Sequence, residues 1–312
     1  MLKLSTSKLQ YTDRSLRGDL DALERVAYEF CEDEYYAGVI YAEVRYSPRL
    51  ALGNKALLQL GPSALDEVIV RISHGLERGL KDFGVKTKQI LCARYSEEFN
   101  DLVEVLHLCQ KHYDKGVVGI DLLTLQPSEG VVDEAPCVEP IISVYREAAQ
   151  TGVHRTIHAA EVGTATAVDR AVYKLGSERV GHGYHVVEDP NIYQRCIKDQ
   201  VHFECCPYSS LMTGSVNAWG ETHPICRFAR DGASFSVNAD DPTVTGYTVL
   251  QDYELLSSWG LSLPQLTMTS IHACNSSFLS DNEKKELLHE LKTFNLATPV
   301  KEHNSGMFCL LQ

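Results

Sequence analysis

Residues 139–163 have the sequence EPIISVYREAAQTGVHRTIHAAEVG and contain one complete transition from a helix to a strand. The spacing of apolar residues in the first half predicts a helix, and Gly152 is the residue type that commonly ends one. The second half predicts a strand whose end carries His158 and Glu161, three positions apart. Because an ionised carboxylate is costly to bury unless it is paired or bound to a metal, these two residues indicate a chemical site.

The same helix-to-strand unit recurs along the chain. The predicted strands are VIYAEVRYSP (39–48), TKQILCARY (87–95), VVGIDLL (117–123), HRTIHAAEVG (154–163), RVGHGYH (179–185), VHFECCPYSS (201–210) and ASFSVNADDP (233–242). Several of the preceding helices end in glycine, namely at Gly38, Gly84, Gly116, Gly152 and Gly232. Strict alternation of this kind gives a parallel sheet with helices outside it. Seven such strands, with no G-x-G-x-x-G or P-loop motif, predict an α/β fold of the (β/α) TIM-barrel type, one strand short of eight.

The predicted barrel forms one domain, from residue 14 to residue 294. Residues 1–13 are predicted to be an irregular N-terminal segment, and residues 295–312 a C-terminal tail. Ser280 and Glu283 have the spacing of a capping box, which predicts the start of the last helix. The last four residues, CLLQ, have the C-a-a-X form of a prenylation signal. No polybasic run precedes them, and we therefore interpret the match as accidental.

The composition of the chain limits the kinds of molecule that it is expected to bind. The chain has 312 residues and a formal net charge of -13, so nucleic acid and anionic membrane surfaces would repel it. A small molecule, such as a neutral or cationic ligand, is the expected partner. The ten cysteines are scattered without a C-x-x-C motif, which favours reduced thiols in a cytoplasmic protein. No apolar run approaches the roughly 18 residues of a membrane span.

Polar residues follow most of the predicted strands at the point where each strand ends. They are Glu43, Asp121, His158, Glu161, His182, His185, Cys206 to Ser210, Asp240 and Asp241. In a (β/α) barrel the active site lies at these ends, where histidines and an acidic residue from different strands can converge on zinc. Singly, each residue has an ordinary explanation, such as a hydrogen-bonded core histidine or an Asx turn before proline. Four polar-tipped strands in succession favour a metal-dependent site.

A resemblance to a known family strengthens this interpretation. The motifs are AYEF, YAEVRYSP, DFGVK, HAAEVG, ERVGHGYH, CPYSS, NADDP and SSFLSDNEKKELL. Their order and spacing resemble those of the adenosine deaminase family from about residue 25 to residue 294. The resemblance implies a zinc-dependent barrel enzyme that hydrolyses adenosine, or deoxyadenosine, to inosine and ammonia in purine nucleoside metabolism.

The resemblance also implies roles for five of these polar residues. His158 and Asp240 would bind the zinc ion. Glu161 would protonate the purine ring nitrogen next to the reacting carbon, and His182 would orient the attacking hydroxide. Asp241 would contact the nitrogen of the purine's imidazole ring.

Three features depart from the family pattern. The family's first strand carries a His-x-His motif that supplies two zinc ligands, whereas the first histidine of this sequence is His74, within a predicted helix. Thr124 lies near a family glycine whose backbone N–H contacts the purine, and Ala160 stands where the family has HAGE. His185 or Cys206 would replace the unmatched zinc ligands only if their strands brought them to the metal.

These departures leave three interpretations open. The first is a zinc-dependent deaminase. The second is a catalytically impaired or non-catalytic relative that binds a nucleoside or a protein partner. The third is a chain that does not fold stably, because a barrel without its first strand exposes two sheet edges.

Overall fold

The computed structural model describes residues 16–95, 100–123 and 134–297. Within them, parallel strands form two four-stranded sheets with the orders β1-β2-β3-β4 and β5-β6-β7-β8. The strands are β1 (Tyr41–Tyr46), β2 (Lys86–Arg94), β3 (Val117–Leu123), β4 (His154–Arg155), β5 (His158–Ala159), β6 (Arg179–His182), β7 (His202–Cys205) and β8 (Ser234–Val237). Each of them overlaps a segment that the sequence predicts to be a strand.

The segments β4 and β5 are the two halves of one barrel strand. Only Thr156 and Ile157 separate them, and these residues continue the ladder on both sides. The N–H of Thr156 donates to the carbonyl of Ile120 at 3.0 Å, and the N–H of Gly181 donates to the carbonyl of Ile157 at 2.8 Å. The described residues therefore form a TIM-type barrel of seven strands, as predicted. Among them, neither β1 nor β8 has a second strand neighbour.

Helices alternate with the strands along the chain. They are α1 (Leu20–Tyr36), α2 (Pro48–Leu52), α3 (Asn54–Leu60), α4 (Ala64–Phe83), α5 (Asn100–Lys111), α6 (Glu139–Thr151), α7 (Ala165–Tyr173), α8 (Pro190–Lys198), α9 (Pro207–Thr213), α10 (Pro224–Asp231), α11 (Pro242–Thr245), α12 (Val249–Ser258), α13 (Leu263–Ser276) and α14 (Asp281–Ala297). The five glycines predicted to end helices all adopt positive φ angles, between 71° and 81°. Within the described residues, no helix is both long and apolar enough to span a bilayer.

The start of α14 confirms the predicted capping box. The hydroxyl and N–H of Ser280 both donate to a carboxylate oxygen of Glu283, at 2.7 and 2.9 Å. The N–H of Glu283 donates to the Ser280 hydroxyl at 3.4 Å. The predicted domain boundaries at residues 13 and 294 stay predictions, because residues 1–15 and 298–312 lie outside the described part of the chain. The CLLQ tail also lies there.

Helices α1 and α4 pack unusually closely. A Cβ atom at Gly75 would stand 2.2 Å from the carbonyl oxygen of Glu24, and one at Gly79 would stand 2.3 Å from Cβ of Cys31. Both distances are shorter than any van der Waals contact, so only glycine permits this approach. The opposing apolar faces are thereby buried, including Ile72 of α4.

An ion-pair network links the two sheets inside the barrel. Arg45 on β1 lies 2.6 Å from Glu204 on β7 and 3.3 Å from Asp121 on β3. Arg179 on β6 lies 2.6 Å from Glu43. Nε of Arg179 also lies 2.7 Å from a carboxylate oxygen of Glu204. This contact is an ion pair, because the two groups are not aligned for a hydrogen bond. Burial would raise the pKa of Glu204, but the two arginines lower it to about 2. The acid is therefore ionised at neutral pH.

Candidate active site

His158 and Asp121 form a pair at the centre of the candidate site. Nδ1 of His158 lies 3.0 Å from one carboxylate oxygen of Asp121 and 3.2 Å from the other. Burial would lower the pKa of His158, but the adjacent carboxylate outweighs it and raises that pKa to about 9. Burial would likewise raise the pKa of Asp121, yet His158 and Arg45 hold it well below its usual range. Asp121 also accepts the thiol of Cys92 at 3.2 Å.

Glu161 and His182 lie beside this pair. Nε2 of His182 is 3.7 Å from a carboxylate oxygen of Glu161, and the imidazole rings of His182 and His158 have centroids 5.1 Å apart. Glu134 holds the loop that carries Glu161, because its two oxygens accept the N–H groups of Glu161 and Val162, each at 3.1 Å. The strand-end loop is thus fixed by a side chain 27 residues away in sequence.

The backbone at the strand ends adopts an uncommon conformation. Ala160, His182 and Asp240 have φ angles of 53°, 66° and 62°. Non-glycine residues in this left-handed region carry strain of about 1–3 kcal/mol each and cluster at functional sites. Neighbouring hydrogen bonds hold the turn, since the N–H of His185 donates to the carbonyl of Ala160 at 3.1 Å.

Asp240 follows β8 and lies close to the ends of β6 and β7. A carboxylate oxygen of Asp240, a ring nitrogen of His182 and Sγ of Cys206 all lie within 4.8 Å of one another. The hydroxyl of Ser209 donates to Asp240 at 2.7 Å and orients its carboxylate. Nitrogen, sulfur and oxygen donors of this kind suit zinc.

The remaining predicted residues lie at the edge of this cluster or elsewhere. Asp241 is exposed and begins α11, where its carbonyl accepts the N–H of Val244 at 2.9 Å. His185 does not join the group, because its two ring nitrogens contact Glu188 at 2.7 Å and the carbonyl of Ser215 at 3.0 Å. Thr124 lies outside the described residues.

Sequence reasoning did not assign three residues that support the site. Asp121 carried a signal, since it is a single charge within the apolar strand VVGIDLL. Glu134 carried none, because its partners are distant in sequence, whereas Ser209 lies within the strand-end range 206–210 and had no assigned role. Asp121 orients His158 through its ring nitrogen, as carboxylates commonly do for metal-binding histidines.

Comparison with known proteins shows to which family the chain belongs. A family model described as adenosine deaminase matches residues 6–294. The chain belongs to the adenosine deaminase family. The adenosine deaminase of Rattus norvegicus is 40% identical over 292 residues, which are 91% of this chain and 81% of that protein. The family resemblance that the sequence motifs predicted is therefore confirmed.

Solved structures show the same fold. An adenine deaminase from Arthrobacter aurescens has a TM-score of 0.80 and 25% identity, covering 95% of this chain and 86% of that one. An amidohydrolase from Burkholderia ambifaria, crystallised with zinc, has a TM-score of 0.77 and 24% identity, covering 90% and 74%. Both likenesses agree with a TIM-type barrel for this member of the adenosine deaminase family.

Proposed function

We propose that the protein is a zinc-dependent hydrolase that deaminates adenosine, and deoxyadenosine, to inosine and ammonia. Membership of the adenosine deaminase family supports the reaction class. The observation that carries the proposal is the proximity of Glu161 and His182, 3.7 Å apart, beside the histidine and aspartate implied as metal ligands. An acid/base pair next to metal donors is the arrangement that hydrolytic deamination needs.

The residues present fit a zinc ion by their donor chemistry. His158 and Asp240 would hold it, with the Nδ1 side of His158 held by Asp121 and the carboxylate of Asp240 held by Ser209. When bound, zinc lowers the pKa of a water molecule toward about 7 and so makes hydroxide available at neutral pH.

Each of the other side chains would either transfer a proton or position a reactant. Glu161 donates a proton to the purine ring nitrogen next to the reacting carbon, which makes that carbon more electrophilic as hydroxide adds. His182 orients the hydroxide. Asp241 binds the nitrogen of the purine's imidazole ring, and Thr124 is proposed to lie along the purine.

The proposed cellular setting is purine nucleoside metabolism in the cytoplasm. The nine cysteines within the described residues are all free thiols, which supports a reducing compartment. The partner we propose is the small nucleoside itself, because the net charge of -13 disfavours nucleic acid and anionic membranes.

A second candidate function is a nucleoside-binding relative that does not turn over. It is favoured by one observation, the absence of a His-x-His motif from the sequence. Under this alternative, adenosine and inosine would each raise the melting temperature of the zinc-supplemented protein, and no inosine would form from adenosine.

The test follows inosine formation by ultraviolet absorbance in zinc-supplemented buffer. We expect turnover by the wild-type chain and a loss of about 10²- to 10⁴-fold in Glu161→Gln, the usual contribution of a general acid or base. Glu188→Gln is the matched control, since Glu188 is an exposed carboxylate that also pairs with a histidine. No turnover with retained nucleoside binding would establish the alternative.

A further inference from the structure

Asp252, on α12, is a buried acid that the proposed mechanism does not use. It is 1% exposed. Its Oδ1 accepts the N–H of Tyr208 at 2.7 Å, and its Oδ2 is buried without a hydrogen-bond partner among the described residues. Such an arrangement is costly, because a buried polar atom without a partner loses its contacts with water. Asp252 is therefore expected to have a role beyond filling space.

The bond to Tyr208 fixes the start of α9. The first N–H groups of a helix have no acceptor within the helix, and the side chain of Cys206, which precedes α9, does not cap it. Asp252 supplies an acceptor from 44 residues away in sequence. The ring of Tyr208 also stacks on that of Tyr247, with centroids 3.5 Å apart. The start of α9 is thus attached to α12 and to the segment that precedes α12.

The place of α9 matters because its third residue holds a proposed metal ligand. Ser209 directly follows Tyr208, and its hydroxyl donates to Oδ2 of Asp240 at 2.7 Å. Asp240 is exposed, and within residues 16–95, 100–123 and 134–297 Ser209 is the one hydrogen-bond partner of its carboxylate. A polar residue at position 206 would cap α9 just as well. The distant acid therefore indicates that the position of α9 relative to α12 is what has to be fixed.

We propose that Asp252 is a positioning residue for the metal ligand Asp240. Its carboxyl group holds the N–H of Tyr208, and this places the hydroxyl of Ser209 where it orients the carboxylate of Asp240. The inference deepens the proposed function, on which it rests for Asp240 as a zinc ligand but not for turnover. Groups that orient a metal ligand contribute about 10- to 100-fold to metal affinity. Asp252 acts one step further from the metal, so we expect about a 10-fold contribution, at the lower end of that range.

The zinc affinity of the full-length chain, measured by competition with a chromogenic chelator at fixed pH, tests the inference without turnover. Asp252→Leu removes the accepting oxygen from a side chain of similar size, and we expect its zinc affinity to fall about 10-fold. Asp252→Asn keeps an oxygen that accepts the N–H of Tyr208, so it should retain most of the wild-type affinity. Burial raises the pKa of Asp252 to about 7, so asparagine also resembles the protonated acid that is present at neutral pH.

Tyr253→Phe is the matched control. Tyr253 is the next residue on α12, it is as buried as Asp252, and its hydroxyl contacts those of Thr269 and Ser270 at 2.9 and 3.1 Å. The variant weakens the packing of α12 without removing the bond to Tyr208, so it should bind zinc like the wild type. An equal loss of zinc affinity in Tyr253→Phe and Asp252→Leu would show that Asp252 acts only through general stability, and would overturn the inference.

A double-variant cycle with Ser209→Ala shows whether Asp252 acts through Ser209. Ser209→Ala should itself lower the zinc affinity by about 10- to 100-fold. Asp252→Leu should then add little, because the hydroxyl that it positions is already gone. Two losses that simply add would contradict the proposed route. Circular dichroism shows which variants fold, and Asp252→Ala, which lacks the acceptor and adds no apolar bulk, is used if Asp252→Leu does not.

The zinc measurements separate the inference from the proposed function. Unchanged zinc affinity in Asp252→Leu, in a chain that deaminates adenosine, overturns the inference and leaves the proposed function standing. Weaker zinc binding in Asp252→Leu, in a chain whose wild type binds zinc without deaminating adenosine, supports the inference and contradicts the proposed function. A wild-type chain that binds no zinc contradicts both.

Discussion

Nδ1 of His158 lies 3.0 Å from the carboxylate of Asp121, across strands β5 and β3. This pair connects the two sheets of the barrel at the site, and Asp121 also lies 3.3 Å from Arg45 on β1. One carboxylate therefore sets the charge of a candidate metal ligand and takes part in the ion network of the barrel.

Asp121→Asn should lower the pKa of His158 in the metal-free protein. The carboxylate raises that pKa to about 9 against burial, which lowers it. An asparagine keeps the burial and removes the charge, so the pKa should fall to 6.5 or below. Histidine proton chemical shifts followed by NMR between pH 5 and pH 10 give the value. Asp66→Asn serves as a control, because Asp66 contacts His112 instead. An unchanged pKa of His158 would contradict the assignment.

Glu204→Gln should destabilise the barrel strongly. Glu204 lies between Arg45 and Arg179, at 2.6 and 2.7 Å. The Gln side chain is neutral, so both arginines lose the charged partner that Glu204 provides. Removing one member of a buried ion pair costs about 3–5 kcal/mol. Unfolding in urea measures this cost. Glu29→Gln, which breaks an exposed pair with Arg25, should cost under about 1 kcal/mol. Equal losses in the two variants would show that the network is no stronger than a surface pair.

Ala160→Gly and Ala159→Gly should differ in their effect on stability. Both alanines are fully buried, so each variant loses one methyl group and gains the same backbone freedom in the unfolded state. Only Ala160 has a positive φ, of 53°, and glycine relieves about 1–2 kcal/mol there. The decrease in the free energy of unfolding should therefore be smaller for Ala160→Gly than for Ala159→Gly, by at least about 1 kcal/mol. Denaturant titrations of the two variants compare them, and equal losses would show that the left-handed turn is unstrained.

Acid should destabilise the fold below about pH 6.5 through His202. This histidine is buried between the hydroxyls of Ser234 and Ser236, at 2.9 and 3.1 Å. Burial lowers its pKa to about 3, with a further contribution from Arg179. Between pH 6.5 and pH 3 the unfolded chain therefore binds a proton that the folded chain does not. The stability conferred by the neutral imidazole is present above pH 6.5 and is lost as the pH falls, by up to about 1.4 kcal/mol per pH unit.

The measurement for His202 is the free energy of unfolding at pH 7, 6 and 5. His202→Gln keeps the hydrogen-bonding capacity without a group that titrates in this range, so its pH dependence should be flatter. His223, whose pKa burial lowers to about 4, and His272, whose pKa burial also lowers, still titrate in that variant and contribute to the remaining slope. Glu34 and Asp252, whose pKa values burial raises to about 8 and about 7, contribute in the opposite direction in both proteins. Identical slopes for the wild type and His202→Gln would show that His202 titrates normally in the fold.

The local pattern of the sequence determined the barrel and the region of the site. Helix ends such as Gly84 and Gly152 depend on backbone conformation within a few residues, and the alternation of helices and strands follows from them. Parallel strands then bring their carboxyl ends to one face, so strand-end residues such as His158 and Asp240 could be predicted without coordinates. Family resemblance added roles to these residues.

Only the tertiary structure decided which strand-end side chains meet. Cys206 and His185 were equal candidates in the sequence, yet Cys206 joins His182 and Asp240 while His185 contacts Glu188 and Ser215. The direction of a side chain beyond a strand depends on the register and twist of neighbouring strands and on the turn that follows. These are set by packing between residues far apart in sequence, so no local pattern encodes them.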